Sequence, residues 1–137
     1  MSTNAIYPGT FDPITYGHIN ILEKASRLFD KVILSVAAYT DKETLFSLQE
    51  RYKLCLESVK HIPNVEVYTF EGLAVDFAHS QNCTVMIRGL RAVSDFEYEL
   101  SLALTNTTLN PKIETVFLVP SLRYMYLSSS ITRQLAE

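Results

Sequence analysis

The stretch NAIYPGTFDPITYGHINIL, residues 4 to 22, joins a short apolar segment to a helical pattern through a loop with two prolines and two glycines. The apolar segment has the composition of a buried strand. Glycines in the loop would let a ligand approach the backbone, and the N-terminus of the following helix favours a phosphate. Since neither GxxxxGK nor GxGxxG occurs in the chain, the stretch predicts a strand, a different kind of phosphate-binding loop, and a helix beginning near Gly17.

Four further apolar segments rich in Val, Ile and aromatic residues follow along the chain, and each is typical of a buried strand. They are KVILSVAA (31–38), NVEVYTF (64–70), TVMIR (84–88) and IETVFLV (113–119). Strands that alternate with helices form a parallel sheet through right-handed crossovers. We therefore expect a doubly wound, Rossmann-like α/β fold in which a five-stranded parallel sheet has helices on both faces.

The segments between the strands carry apolar residues at helical spacing, which predicts three helices that pack through these faces. The faces are Ile21, Leu22, Ala25, Leu28 and Phe29; then Leu48, Tyr52, Cys55, Leu56 and Val59; then Phe96, Leu100, Ala103 and Leu104. Two shorter helices are predicted at residues 73 to 80 and 129 to 136.

Composition narrows the class of protein. A chain of 137 residues that is 47% apolar can form one domain with a single core. A net charge of −3 offers no positive field for a nucleic-acid backbone. The two cysteines lack metal-ligand spacing, and the longest apolar run is too short to span a bilayer. We expect a soluble, cytoplasmic, single-domain protein with reduced cysteines and no membrane or nucleic-acid partner.

In a doubly wound sheet, ligands bind beyond the carboxyl ends of the strands. His18, in the first turn of the first helix, could donate a hydrogen bond to a phosphoryl oxygen. Arg88 and Arg91 flank Gly89 at the end of the fourth predicted strand, where two guanidinium groups suit phosphate contacts. The sequence thus predicts a phosphate site at this edge.

Specific motifs carry a family resemblance. TYGH (15–18) resembles the [HT]xGH motif of the nucleotidylyltransferase superfamily, and SSSITR (128–133) resembles its second signature, a serine-rich turn that opens a helix. Together with YPGTFDPITYGH, FSLQER and IRGLRAVSDFEYE in this order, the chain closely resembles the phosphopantetheine adenylyltransferase family over nearly its whole length.

The resemblance implies a reaction and its partners. Members transfer AMP from ATP to 4'-phosphopantetheine, giving dephospho-coenzyme A and pyrophosphate in coenzyme A biosynthesis. Mg²⁺ is required and would bind mainly through ATP oxygens and water, with no protein ligand assigned. Homohexamer assembly and coenzyme A as a feedback ligand are further expectations from the family.

The resemblance also implies roles for individual residues. His18 would stabilise the transition state, Thr10 would lie between the substrates, and Phe11 would offer backbone contacts to ATP. The remaining phosphopantetheine contacts would be Lys42, Leu73, Ala74 and Arg88. The remaining ATP contacts would be Gly89, Leu90, Arg91, Glu99, Tyr124, Met125, Tyr126, Leu127, Ser128, Ser129 and Ser130.

Three departures from the family pattern stand out. Ala74 occupies a position where relatives often carry a larger apolar residue, and Tyr124 stands where they often carry tryptophan. The sequence ends at Glu137, and we expect that it lacks the family's C-terminal segment, which bears on subunit contacts and on closure of the nucleotide site.

Other functions remain open. The chain could be a nucleotidylyltransferase for another acceptor, such as nicotinamide mononucleotide or, with CTP, glycerol phosphate, although IRGLRAVSDFEYE favours the phosphopantetheine branch. It could also be a catalytically silent nucleotide-binding module that keeps the fold. A nucleic-acid-binding domain is disfavoured because the chain is acidic.

Overall fold

Strands and helices alternate through the chain, as predicted. The computed structural model describes residues 3–40, 43–90 and 93–121, with side chains described from residue 96 in the last range. The elements are β1 (Asn4–Gly9), α1 (Tyr16–Leu28), β2 (Lys31–Ala37), α2 (Leu48–Val59), β3 (Val65–Phe70), α3 (Ala74–Ser80), β4 (Val85–Gly89), α4 (Val93–Leu109) and β5 (Glu114–Leu118). The helix predicted at 129–136 lies outside the described residues.

The five strands form one parallel sheet in the order β3-β2-β1-β4-β5. The central strand β1 pairs with β2 from Asn4 opposite Lys31 to Gly9 opposite Val36, and with β4 through Ala5 and Ile6. After β3 the chain crosses to the other side of β1, so the strand order reverses between β1 and β4. Ligand sites in doubly wound sheets lie at this reversal, beyond the carboxyl ends of the strands.

Hydrophobic side chains pack on both faces of the sheet. Because side chains alternate along a strand, Ala5 and Tyr7 join the cluster that includes residues of α1 and α2, whereas Ile6 joins the one that includes residues of α3. The first cluster contains Leu22, Ala25, Cys55 and Val59, and the second contains Val75, Ala78, Met86 and Ile113. The prediction of a doubly wound sheet with helices on both faces is confirmed.

The predicted packing face of α4 is wrong in part. Ala103 is buried, as expected, but Phe96, Leu100 and Leu104 are 42%, 40% and 62% exposed. Among the residues of this helix whose side chains are described, Glu99 and Ala103, four residues apart, are the buried ones. Leu100 and Leu104 each lie about 100° further around the helix. Two other residues of the predicted faces, Leu28 and Leu56, are also exposed. The three helices form where predicted, but Leu100 and Leu104 of α4 are exposed, whereas the ring of Phe96 still packs against Phe117 of β5 at a centroid distance of 5.8 Å.

No helix within the described ranges is both long and apolar enough to serve as a membrane span.

Both cysteines are free and buried, as predicted. Burial raises the pKa of the Cys55 thiol to about 12 and that of Cys83 to about 11. Because the thiolate is the reactive form, we expect neither residue to be alkylated by iodoacetamide at pH 8 while the protein is folded, and both to react at once in urea. Mass spectrometry of the labelled chain checks this expectation, which labelling at the same rate with and without urea would contradict.

Candidate active site

The N-terminus of α1 is fixed by a reciprocal cap. Thr15 is the N-cap residue, and its side-chain oxygen accepts a hydrogen bond from the His18 amide at 3.3 Å. In return, the Thr15 amide donates to Nδ1 of His18 at 2.9 Å. In most capping boxes, the side chain that accepts from the N-cap amide belongs to a glutamate or glutamine. Here it belongs to a histidine, and the ring is thereby held at the start of the helix.

This cap also determines which ring nitrogen of His18 carries the hydrogen. A backbone amide can only donate, so Nδ1 must be the acceptor and the neutral ring carries its hydrogen on Nε2. Two aromatic rings pack edge-on against the imidazole, with the centroid of Phe11 at 5.0 Å and that of Tyr7 at 6.3 Å. His18 is therefore an oriented hydrogen-bond donor of the kind predicted from the sequence.

A cleft of about 130 Å³ opens beyond the carboxyl ends of β1 and β4, at the reversal of strand order. Five predicted site residues line it, namely Thr10, Phe11, His18, Arg88 and Gly89. Tyr7, Pro8 and Gly9 complete the lining. Gly9 belongs to the loop whose glycines were expected to let a ligand approach, but none of the three was predicted as an individual contact. The signal that could have found them was their position at the end of a strand that leads into the phosphate-binding loop.

The conformation of this loop favours a glycine at position 9. Phe11 has a positive φ of 51°, which lies in the left-handed region that few non-glycine residues adopt. Its ring folds back over Gly9, where a Cβ atom would stand 3.0 Å from the ring's Cζ. Gly9 therefore makes room for the Phe11 ring, which in turn packs against His18.

Arg88 is bound by the carboxylate of Glu99. Nε of Arg88 donates to Oε2 at 2.8 Å, Nη2 donates to Oε1 at 3.0 Å, and Nη1 reaches the Pro8 carbonyl at 3.4 Å. Burial by itself lowers the pKa of Arg88, but the hydrogen bonds and charge of Glu99 outweigh it and raise that pKa above its ordinary value. Glu99 and Pro8 together use the Nε hydrogen and one hydrogen each of Nη2 and Nη1. The second hydrogens of Nη1 and Nη2 are then left for a ligand in the cleft that Arg88 lines.

The other predicted site residues either do not line the cleft or fall outside the described residues. Leu73 is the N-cap of α3 and is 54% exposed, and Ala74 begins that helix; neither lines the cleft. The Leu90 amide donates to the Leu118 carbonyl at 3.0 Å, which ties the end of β4 to β5. Lys42, Arg91 and Tyr124–Ser130 lie outside the described residues.

Two buried charges beside the cleft were not predicted. Asp12 is 5% exposed, and its carboxylate accepts hydrogen bonds from the amides of Leu45 and Phe46 at 2.7 and 2.8 Å. Arg51, in the first turns of α2, is 2% exposed and donates to backbone carbonyls. Charges at helical spacing usually indicate a solvated face, so no local pattern predicts that Arg51 is buried.

Helix α1 also holds the chain that leaves β5. The Ser121 amide donates to Oδ1 of Asn20 at 2.7 Å, and Nζ of Lys24 donates to the Val119 carbonyl at 2.8 Å. Both side chains lie on the helix that begins with the His18 cap. The segment that leads toward the second sequence signature therefore starts against α1.

Comparisons with known proteins agree with this architecture. The cytidylyltransferase-like family model matches residues 6–135. The phosphopantetheine adenylyltransferase of Nautilia profundicola is 49% identical over the whole chain, which covers 89% of that protein. The same enzyme of Clostridium tetani is 54% identical over 96% of the chain and 82% of that protein.

A solved structure shares the fold alone. The nicotinic acid mononucleotide adenylyltransferase of Plasmodium falciparum, complexed with NaAD, superposes with a TM-score of 0.68 at 19% identity, covering 98% of this chain and 83% of that one. The identity of about half with relatives over nearly full length is decisive. This chain belongs to the phosphopantetheine adenylyltransferase family, within the cytidylyltransferase-like proteins.

Proposed function

We propose that this protein is the enzyme that transfers the adenylyl group of ATP to 4'-phosphopantetheine, which yields dephospho-coenzyme A and pyrophosphate. One observation carries the proposal beyond family membership. Two motifs far apart in the sequence, TYGH and IRGLR, bring an oriented donor, His18, and an oriented cation, Arg88, to the same cleft. Such a pair suits a reaction between two phosphate groups.

The chemistry is an in-line displacement at phosphorus. An oxygen of the acceptor phosphate forms a bond to the α-phosphorus of ATP, and the bond from that phosphorus to the α,β-bridging oxygen breaks. The electron pair leaves with pyrophosphate. No protein nucleophile takes part, so catalysis consists of alignment and of stabilising charge on the transferring group.

His18 and Arg88 divide this work. The Nε2 hydrogen of His18 would bind a non-bridging oxygen of the α-phosphate, where negative charge grows in the transition state. The Nη1 and Nη2 end of Arg88 would bind the acceptor phosphate and hold the attacking oxygen in line. Thr10, which lines the same cleft, would contact both substrates, and Phe11 would contact ATP through its backbone.

The outer contacts are proposed from the family pattern. Leu73 and Ala74 would accompany the pantetheine arm, and the exposure of Leu73 leaves apolar surface for it. Lys42 would reach the acceptor phosphate. Gly89, Leu90, Arg91, Glu99 and Tyr124–Ser130 would surround ATP, with Glu99 acting beside Arg88.

Mg²⁺ would arrive with ATP, bound to phosphate oxygens and water. The two buried carboxylates beside the cleft support this assignment, because Asp12 is engaged by backbone amides and Glu99 by Arg88. The ion would neutralise the phosphates and the leaving pyrophosphate. The residues of this chain would orient the phosphates that carry it.

Assembly, location and regulation complete the proposal. The exposed row Phe96, Leu100 and Leu104 on α4 supports association of several copies, which would form the homohexamer of the family, since apolar rows of this kind mark interaction surfaces. The enzyme would act in the cytoplasm and would bind coenzyme A as a feedback ligand.

Release of pyrophosphate tests the proposal. With ATP and Mg²⁺, we expect release with 4'-phosphopantetheine and none above background with nicotinamide mononucleotide or without an acceptor, because the relatives about half identical to this chain are phosphopantetheine adenylyltransferases. The product should have the mass of dephospho-coenzyme A. Release with nicotinamide mononucleotide alone would assign a different acceptor, and ATP binding without release in any mixture would indicate a silent nucleotide-binding module.

A further inference from the structure

Arg51 is a buried cation that joins α2 to three backbone segments through hydrogen bonds. Its guanidinium donates from Nη1 to the carbonyls of Thr10 and Ala37, both at 2.9 Å, and from Nε to the carbonyl of Phe46 at 3.3 Å. Taking a charge out of water costs several kcal/mol unless its hydrogen bonds are satisfied. Here three backbone segments supply those bonds, and one of them is the wall of the cleft.

The bond to Thr10 fixes the direction of a backbone amide in the cleft. In a trans peptide the carbonyl oxygen and the next amide hydrogen point in opposite directions. Since the Thr10 carbonyl points at Arg51, the Phe11 amide points away from Arg51. Thr10 and Phe11 both line the cleft, and an inward amide there is a donor for a phosphate oxygen.

A second buried charge holds the same loop. The Asp12 carboxylate accepts from the amides of Leu45 and Phe46, and Phe46 also accepts from Arg51 through its carbonyl. The cleft loop is thus tied to the entry of α2 by a carboxylate on one side and a guanidinium on the other. This double attachment supports the left-handed conformation of Phe11, whose φ is 51°.

We propose that Arg51 is a positioning residue for ATP, an inference that rests on the proposed function. By holding the Thr10 carbonyl, it aims the Phe11 amide at a phosphate oxygen of ATP and keeps this donor in place during the reaction. Arg51 itself touches no substrate. Its effect should therefore fall on ATP binding and turnover, and only weakly on phosphopantetheine.

The substitution Arg51→Lys tests this inference because it keeps the charge and removes the fork that reaches several carbonyls. We expect kcat/KM for ATP to fall about 10²-fold, as a displacement of about 1 Å at a reacting group causes. The KM for phosphopantetheine should change less than about threefold. Calorimetry should show that ATP binds about tenfold more weakly, because a tenfold change in affinity corresponds to the loss of one good hydrogen bond. Asp12→Asn should act in the same direction on ATP if the lysine variant does not fold.

Two variants of α2 serve as controls. Val59→Ala removes buried volume at the far end of the helix, so it lowers stability without reaching the cleft, and Lys53→Met removes an exposed charge. Both should keep wild-type KM values for ATP. The activities of Arg51→Lys and Asp12→Asn are compared per molecule of folded protein. If both variants then keep the ATP affinity and turnover of wild type, Arg51 contributes only to the stability of the fold and the inference is wrong. A wild-type enzyme that binds ATP but does not use phosphopantetheine would refute the proposed function instead, while the ATP affinities of the variants would still decide the role of Arg51.

Discussion

Replacing His18 with alanine should lower kcat by a factor on the order of 10² to 10³, as the loss of one transition-state donor does in other enzymes. The KM for ATP should change far less, because the Nε2 hydrogen meets its strongest partner only when charge builds on the α-phosphate. Steady-state release of pyrophosphate at saturating phosphopantetheine measures both constants. A raised KM for ATP with an unchanged kcat would instead show that His18 binds the ground state as well as it binds the transition state.

The His18 variant also loses half of the capping box, so a control for stability is needed. Thr15→Ala removes the other half, in which the Thr15 oxygen accepts from the His18 amide, and should cost about 1 kcal/mol of stability. Its backbone amide still binds Nδ1 of His18, so the donor stays in place. We expect its turnover to stay much closer to that of wild type. Equal losses of turnover in the two variants would mean that the cap, and not the donor, matters.

Replacing Arg88 with alanine should raise the KM for phosphopantetheine by a factor of about 10 to 10², which corresponds to the loss of charge-assisted hydrogen bonds worth about 1.5–3 kcal/mol. The KM for ATP should change less. Arg88→Lys should lie between alanine and wild type, because an ammonium keeps the charge but not the fork that binds Glu99 and a phosphate together. An unchanged KM for phosphopantetheine would refute the assignment.

The partner of Arg88 provides the control. Arg88→Ala leaves Glu99, which is 9% exposed, without its ion pair, and this alone is destabilising. The double variant with Glu99→Ala should regain part of that stability and keep the high KM for phosphopantetheine. Glu99→Gln should also raise this KM, since it disturbs the fork, whereas Glu97→Gln on the exposed side of the same helix should not. Recovery of the KM together with stability would reduce Arg88 to a structural role.

The fold followed closely from local patterns, because strands and helices of this chain differ clearly in their spacing of apolar residues. The place of the cleft followed from a rule of topology: parallel strands end on the same edge, and the order reverses at β1. His18 and Arg88 were found because His18 stands in the first turn of a helix and Arg88 stands at the end of a strand. These are local properties that a sequence displays.

The features that escaped prediction depend on contacts between distant residues. Tyr7 belongs to an apolar strand that is typical of the core, and only its position near the carboxyl end of that strand indicates a place in the cleft. Arg51 belongs to a helix with a polar pattern, and its burial depends on carbonyls from three other segments. The exposure of Leu100 and Leu104 on α4 was not predicted for a related reason, since contacts with distant residues, such as the pairing of Glu99 with Arg88, decide which side of the helix faces the sheet.

The central position of β1 makes the catalytic cleft a late product of protein synthesis. Strands β2 and β3 on one side of it come from the first 70 residues, and β4 on the other side begins only at Val85. A chain emerging from the ribosome can therefore complete one half of the sheet while the other edge of its innermost strand is still unpaired. That edge is open to chaperones and to aggregation, and the cleft gains Arg88 only when β4 pairs with it.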